Sequence, residues 1–79
     1  MNAQSGERLQ SIFHAVFELS PGTSVTELQQ TNMPTWDSMR HVLLVAAIEN
    51  EFGLNLDVAD QLRMTGYPEI SLLLTERGL

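Results

Sequence analysis

Asp37-Ser38-Met39 sets a single hydroxyl where a stretch rich in turn formers gives way to a long apolar helical pattern. Asp37 is a favourable N-cap, because its carboxylate can accept a backbone N–H of the following turn and complements the positive end of the helix dipole. Ser38 then falls at the first helical position, where geometry exposes its hydroxyl and aims it away from the core. No side-chain base stands beside it in sequence, so as a nucleophile it needs activation from outside. A hydrolase built on Ser38 is a poor fit: neither His14 nor His41 is placed by a recognisable motif to act as base, and so small a chain offers little enclosure for an oxyanion hole. The chemistry that suits the site is a hydroxyl acted on by another protein. Against it stands the plain structural role, since Asp-Ser is common at helix starts for its capping alone.

Other chemistries have less to build on. The two histidines are far apart, with no carboxylate or second histidine at ligand spacing, which argues against a metal site. Both are expected to be structural. There is no cysteine, so the fold must rest on apolar burial, and any thiol would have to be imported. The net charge is −6, with Arg8, Arg40, Arg63 and Arg77 as the only cations besides histidine. That balance disfavours nucleic-acid phosphates and anionic lipid and favours basic protein partners. The first residues, Met1 to Gly6, lack a signal-peptide pattern, and the longest apolar run, Val42 to Ile48, is too short to span a bilayer. The expectation is a soluble, cytoplasmic protein.

The elements that must position Ser38 follow from hydrophobic spacing. Residues 1–79 are enough for one small domain. Leu9, Ile12, Phe13, Val16 and Phe17 predict an amphipathic first helix over Glu7 to Leu19, stopped by Ser20-Pro21-Gly22-Thr23-Ser24. A long polar connection follows, in which Val25, Leu28 and Met33 are expected to peg the loop to the bundle. Ser38 to Phe52 is the second helix, so rich in apolar residues that it should be the central element, packed on most of its sides, with Gly53 terminating it. Asp57 caps a short third helix to about Met64, and Pro68 suits the first position of a fourth that Arg77 and Gly78 close. Trp36, just before the cap, is placed to staple against the Arg40 stem or the apolar face of the second helix, with a place in a partner surface as the alternative. Glu49, Glu51, Asp57 and Asp60 form an acidic stretch of the kind that is usually a solvated face. The predicted fold is an all-α bundle of three main helices and a short third one, with a long loop between helices one and two.

Asp37-Ser38-Met39, with Trp36 before it and Glu49-Asn50-Glu51-Phe52-Gly53 after it, resembles the modification site of acyl and peptidyl carrier proteins. The resemblance covers nearly the whole chain and is strongest from Trp36 to Leu56. It implies that Ser38 carries 4'-phosphopantetheine, with Asp37 beside it, attached by a phosphopantetheinyl transferase that supplies the magnesium and the base. The chain would then be a monomeric, free-standing shuttle and not an enzyme, holding acyl or aminoacyl thioesters for a loading enzyme and downstream biosynthetic enzymes. Met39 and Val42 follow the serine at positions that carriers use to meet partners, with plain core burial, the commoner fate of such residues, as the alternative; Leu43 stands off the innermost face, where family members often carry a charge. Arg40 and His41 also depart from the family's acidic second helix, which points to partners in a dedicated pathway; Met39, Arg40, Val42 and Leu43 are the expected partner contacts. The alternative from another class is a small helical adapter that binds a partner helix through Met39 and Leu43, with Ser38 only a cap.

Overall fold

The computed structural model describes all of residues 1–79 and is entirely helical, with four α-helices in the order α1 (Ala3–Phe17), α2 (Ser38–Phe52), α3 (Val58–Arg63) and α4 (Tyr67–Glu76). One 3₁₀ turn, Gln30–Asn32, lies in the long α1–α2 connection. The all-α bundle predicted from the sequence is the observed architecture.

The helices start and stop for identifiable reasons. α1 begins four residues before the expected Glu7, because the Asn2 side chain accepts the Ser5 N–H at 2.7 Å and caps it. It ends at Phe17, short of Leu19, where Glu18 turns left-handed (φ 53°) and the Leu19 N–H reaches back to the His14 carbonyl at 3.0 Å. α2 closes in the same way through Gly53 (φ 66°) and the Leu54 N–H on the Glu49 carbonyl, and α4 through Gly78 and the Leu79 N–H on the Leu74 carbonyl. These are six-to-one closures that satisfy orphan carbonyls at a helix end. At α4, Gly66 is the N-cap residue, so Tyr67 takes the first position and Pro68 the second, one later than its spacing predicts.

One core runs through the molecule. Leu9, Ile12, Phe13 and Phe17 of α1 meet Leu44, Val45 and Ile48 of α2, and Leu56, Met64, Tyr67, Ile70, Leu73 and Leu74 complete it. Val25 and Met33 are buried and Leu28 is half-buried, so the three expected pegs do hold the connection down. Main-chain bonds fix its path as well. The Tyr67 N–H donates to the Leu28 carbonyl at 2.8 Å and the Gln30 N–H to the Thr65 carbonyl at 2.9 Å, a short antiparallel splice of the loop onto the α3–α4 junction. Gly66 sits inside that splice, where a Cβ would lie 2.3 Å from Gln29 Oε1 and 2.6 Å from Glu69 Oε1.

Three sequence expectations are corrected here. α2 is not packed on most of its sides: Met39, Val42 and Leu43 are exposed, because no helix covers that face. Trp36 is not a staple on the Arg40 stem; it meets α2 at His41, whose Nδ1 accepts its indole N–H at 3.1 Å, and its ring packs elsewhere. Its indole enters the core against α1, 5.8 Å from Phe13 and 5.1 Å from Phe17 between ring centroids, where aromatic edges and faces find better partners than on an exposed helix start. The acidic stretch is not a free solvated face either, since each member has an internal role. Glu49 accepts the Leu56 N–H at 2.8 Å, Glu51 pairs with Arg8 at 3.2 Å, Asp57 caps α3, and Asp60 pairs with Arg77 at 2.5 Å.

Candidate functional site

The site is the junction of the long connection with α2. Asp37 is the N-cap, extended at ψ −175°, and its Oδ1 accepts the Arg40 N–H at 2.8 Å, while its carbonyl accepts the His41 N–H at 3.0 Å. Ser38 is therefore held at the first helical position with its side chain exposed and engaged by no other side chain. No protein acceptor takes the N–H of Ser38 or of Met39, as expected for the opening turn of a helix. These two donors and the dipole favour negative charge on a group joined to the Ser38 oxygen.

Beside the serine runs a shallow groove of about 480 Å³ lined by Gln30, Trp36, Asp37, Ser38, His41 and Val42. Both nitrogens of the His41 imidazole are committed elsewhere: Nδ1 accepts the Trp36 indole N–H at 3.1 Å, and Nε2 lies 3.2 Å from the Gln61 carbonyl. His14 is turned to the Thr23 carbonyl at 3.0 Å. Neither imidazole is thus engaged with the Ser38 hydroxyl as a base would be. The arrangement offers an accessible alcohol with no internal machinery to activate it.

The other residues marked out by the sequence divide into two groups. Met39, Val42 and Leu43 are 70%, 66% and 49% exposed and share one face of α2 through their three-and-four spacing. Arg40, by contrast, is directed inward along the bundle. Its guanidinium donates to the Val16 carbonyl and lies 3.4 Å from Glu18, so it neutralises the carbonyl end of α1 and ties that end to the start of α2. Its donors are engaged within the chain.

Sequence reasoning missed the outward face of α3. Val58 and Leu62, at helical spacing of four, are 71% and 75% exposed, whereas Asp60 between them is buried. The usual polarity of a surface helix is inverted. Arg77 explains the inward carboxylate, since its hydrogen bond holds the Asp60 carboxyl below the usual range in spite of burial. Arg63 and Glu76 make a second, two-pronged pair at 2.9 and 3.0 Å between α3 and α4, which lowers the Glu76 carboxyl and raises the Arg63 guanidinium further. The sequence offered the Asp57-Val58-Ala59-Asp60 capping box, in which Asp57 and Asp60 satisfy each other's backbone N–H, but such a box marks where the helix starts and not which side faces the core. No helix of the molecule is long and apolar enough to cross a membrane. No protein-family model matches the chain, and no characterised protein matches it in sequence.

Proposed function

We propose that this chain is a free-standing acyl or aminoacyl carrier whose Ser38 bears 4'-phosphopantetheine. The observation that carries the reading is the exposed, unengaged Ser38 hydroxyl on the first turn of α2, next to free backbone N–H donors. The resemblance of Trp36 to Gly53 to the carrier modification site supplies the chemistry. In that reaction the Ser38 oxygen attacks the β-phosphorus of coenzyme A, the bond to adenosine 3',5'-bisphosphate breaks, and the serine proton passes to a base on the transferase. The chain itself contributes the alcohol and the surface that the transferase recognises. The imported thiol then forms a thioester with the cargo, which accounts for function without cysteine.

The exposed apolar faces of α2 and α3, Met39, Val42 and Leu43 with Val58 and Leu62, are the contact surface for partner enzymes. Such a shuttle is a cytoplasmic monomer and not itself a catalyst. The test is to incubate the protein with coenzyme A, magnesium and a broad-specificity phosphopantetheinyl transferase, and then to measure its intact mass. The expected result is a gain of one phosphopantetheine that Ser38→Ala abolishes. No gain, or an undiminished gain in Ser38→Ala, overturns the reading. A helical adapter is the second reading, favoured by the same apolar faces; it predicts no loading and only a modest capping loss in Ser38→Ala.

A further inference from the structure

His41 joins three elements through one ring. Trp36 of the connection donates its indole N–H to Nδ1 at 3.1 Å, the Gln30 amide lies 3.4 Å from the same nitrogen, and Nε2 meets the Gln61 carbonyl of α3 at 3.2 Å. The two rings are also nearly parallel, at 27° and 6.2 Å. An indole N–H can only donate, so Nδ1 must be an unprotonated acceptor; a carbonyl can only accept, so Nε2 must carry the hydrogen. The contacts therefore define a neutral imidazole in one tautomer. A second proton would turn Nδ1 into a donor facing the indole N–H. Gln30 can answer that change by rotating its amide to offer oxygen, but Trp36 has nothing to offer.

We propose that His41 is a proton-operated latch for the segment leading into Ser38: neutral, it ties the Trp36 indole N–H to α2; protonated, it exchanges that N–H for the Gln30 oxygen and leaves the indole held by its packing on Phe13 and Phe17 alone. Trp36 directly precedes the Asp37 cap, so the segment that loosens is Thr35 to Asp37, beside the groove at Ser38, while Met33 stays buried as a peg. The rest of the connection stays in place, because Leu28 and Gln30 are bonded to Tyr67 and Thr65 through main-chain groups that do not titrate. Among the charged groups on the surrounding elements, Glu27 of the connection and Glu69 of α4 make no side-chain hydrogen bond, and the others are engaged with other partners. Asp37 caps the Arg40 N–H, Arg40 is on Val16 and Glu18 of α1, Asp57 caps α3, Asp60 is on Arg77, and Arg63 is on Glu76. None of them bonds to the imidazole. The latch goes beyond the carrier reading and does not depend on whether Ser38 is ever modified.

The test is an NMR titration of the full, isotope-labelled chain in the absence of coenzyme A, following the two histidine rings, the Trp36 indole N–H and the backbone amides as pH is lowered. The indole resonance should shift at the midpoint of the His41 ring, with indole exchange faster by roughly fivefold after correction for the intrinsic pH dependence, the effect of losing one neutral hydrogen bond. The amides of Trp36 and Asp37, bonded to the Met33 and Thr35 carbonyls, should lose protection together with it, while those of Leu28, Gln30 and Tyr67 keep theirs. His14→Asn should leave this transition intact, and His41→Asn should abolish it. Should His41→Asn fail to fold, the His14→Asn protein, in which His41 is the only imidazole, still gives the decisive reading. An indole signal that stays flat while the His41 ring titrates overturns the latch, and so does one that follows His14 or a loss of protection at every amide together.

Discussion

Replacing Trp36 separates the two roles of its side chain. The indole is 7% exposed and packs on Phe13 and Phe17, while its N–H is bonded to His41. Truncation in Trp36→Ala removes the whole ring from a core, which costs about 3–5 kcal/mol. A domain of 79 residues has a total stability of about 4–12 kcal/mol. The truncated protein should therefore lose roughly 12–40 °C of thermal midpoint, at about 4–8 °C per kcal/mol for a domain of this size. Trp36→Phe keeps an aromatic ring against Phe13 and Phe17 and loses the hydrogen bond with part of the contact area. Its cost should be about 1–1.5 kcal/mol, close to that of one neutral hydrogen bond. Urea unfolding followed by circular dichroism measures both variants without relying on the removed fluorophore. A Trp36→Ala protein within about 1 kcal/mol of the parent would refute the assignment of the indole to the core. A Trp36→Phe protein as unstable as Trp36→Ala would show that packing is not what sets the larger cost.

Two further predictions concern α3. Asp60 and Glu76 have carboxyl groups held below their ordinary values by Arg77 and Arg63, so the unfolded chain binds more protons than the folded one as pH falls below about 4. Their stabilisation is complete above that range and drains away as pH passes down through the lowered values; urea midpoints of the parent and of Arg63→Gln/Arg77→Gln should differ at neutral pH and converge in acid, and a constant gap would contradict the linkage. Val58→Ser and Leu62→Ser should each change stability by less than about 0.5 kcal/mol, as exposed positions do. Leu44→Ala, at a fully buried site, should cost about 2–5 kcal/mol by thermal unfolding, and similar losses at all three positions would mean that the α3 face is covered in solution.

The parts of the fold legible in the sequence are those set by local chemistry. α2 runs from Ser38 to Phe52 as its spacing predicts, because Asp37 and Gly53 are strong signals at its two ends. The loop pegs were legible because isolated apolar residues in a polar stretch have little reason to be there unless buried. What failed was rotation and reach. Counting apolar residues on α2 could not tell which side would be left bare, since that depends on how many neighbours the bundle supplies. Trp36 reached across to α1, a contact between segments remote in sequence that no local pattern encodes. The inward turn of Asp60 depends on Arg77 at the far end of α4, and the work of Glu49 on Leu56 depends on how the chain doubles back after Gly53. At the site itself, the exposure of Ser38 was legible from its capping position, whereas the use of His41 as a three-way tie was not.

The splice of Leu28 and Gln30 onto Tyr67 and Thr65 is made of peptide groups alone. Its geometry is therefore indifferent to which residues stand at the surface of the loop there, provided Gly66 keeps its space. The wall of the groove next to Ser38 can change its polarity, charge or bulk at positions such as Gln30 while the backbone track beneath stays constant. Here is a place where such a protein can acquire new specificity by drift without first risking its fold.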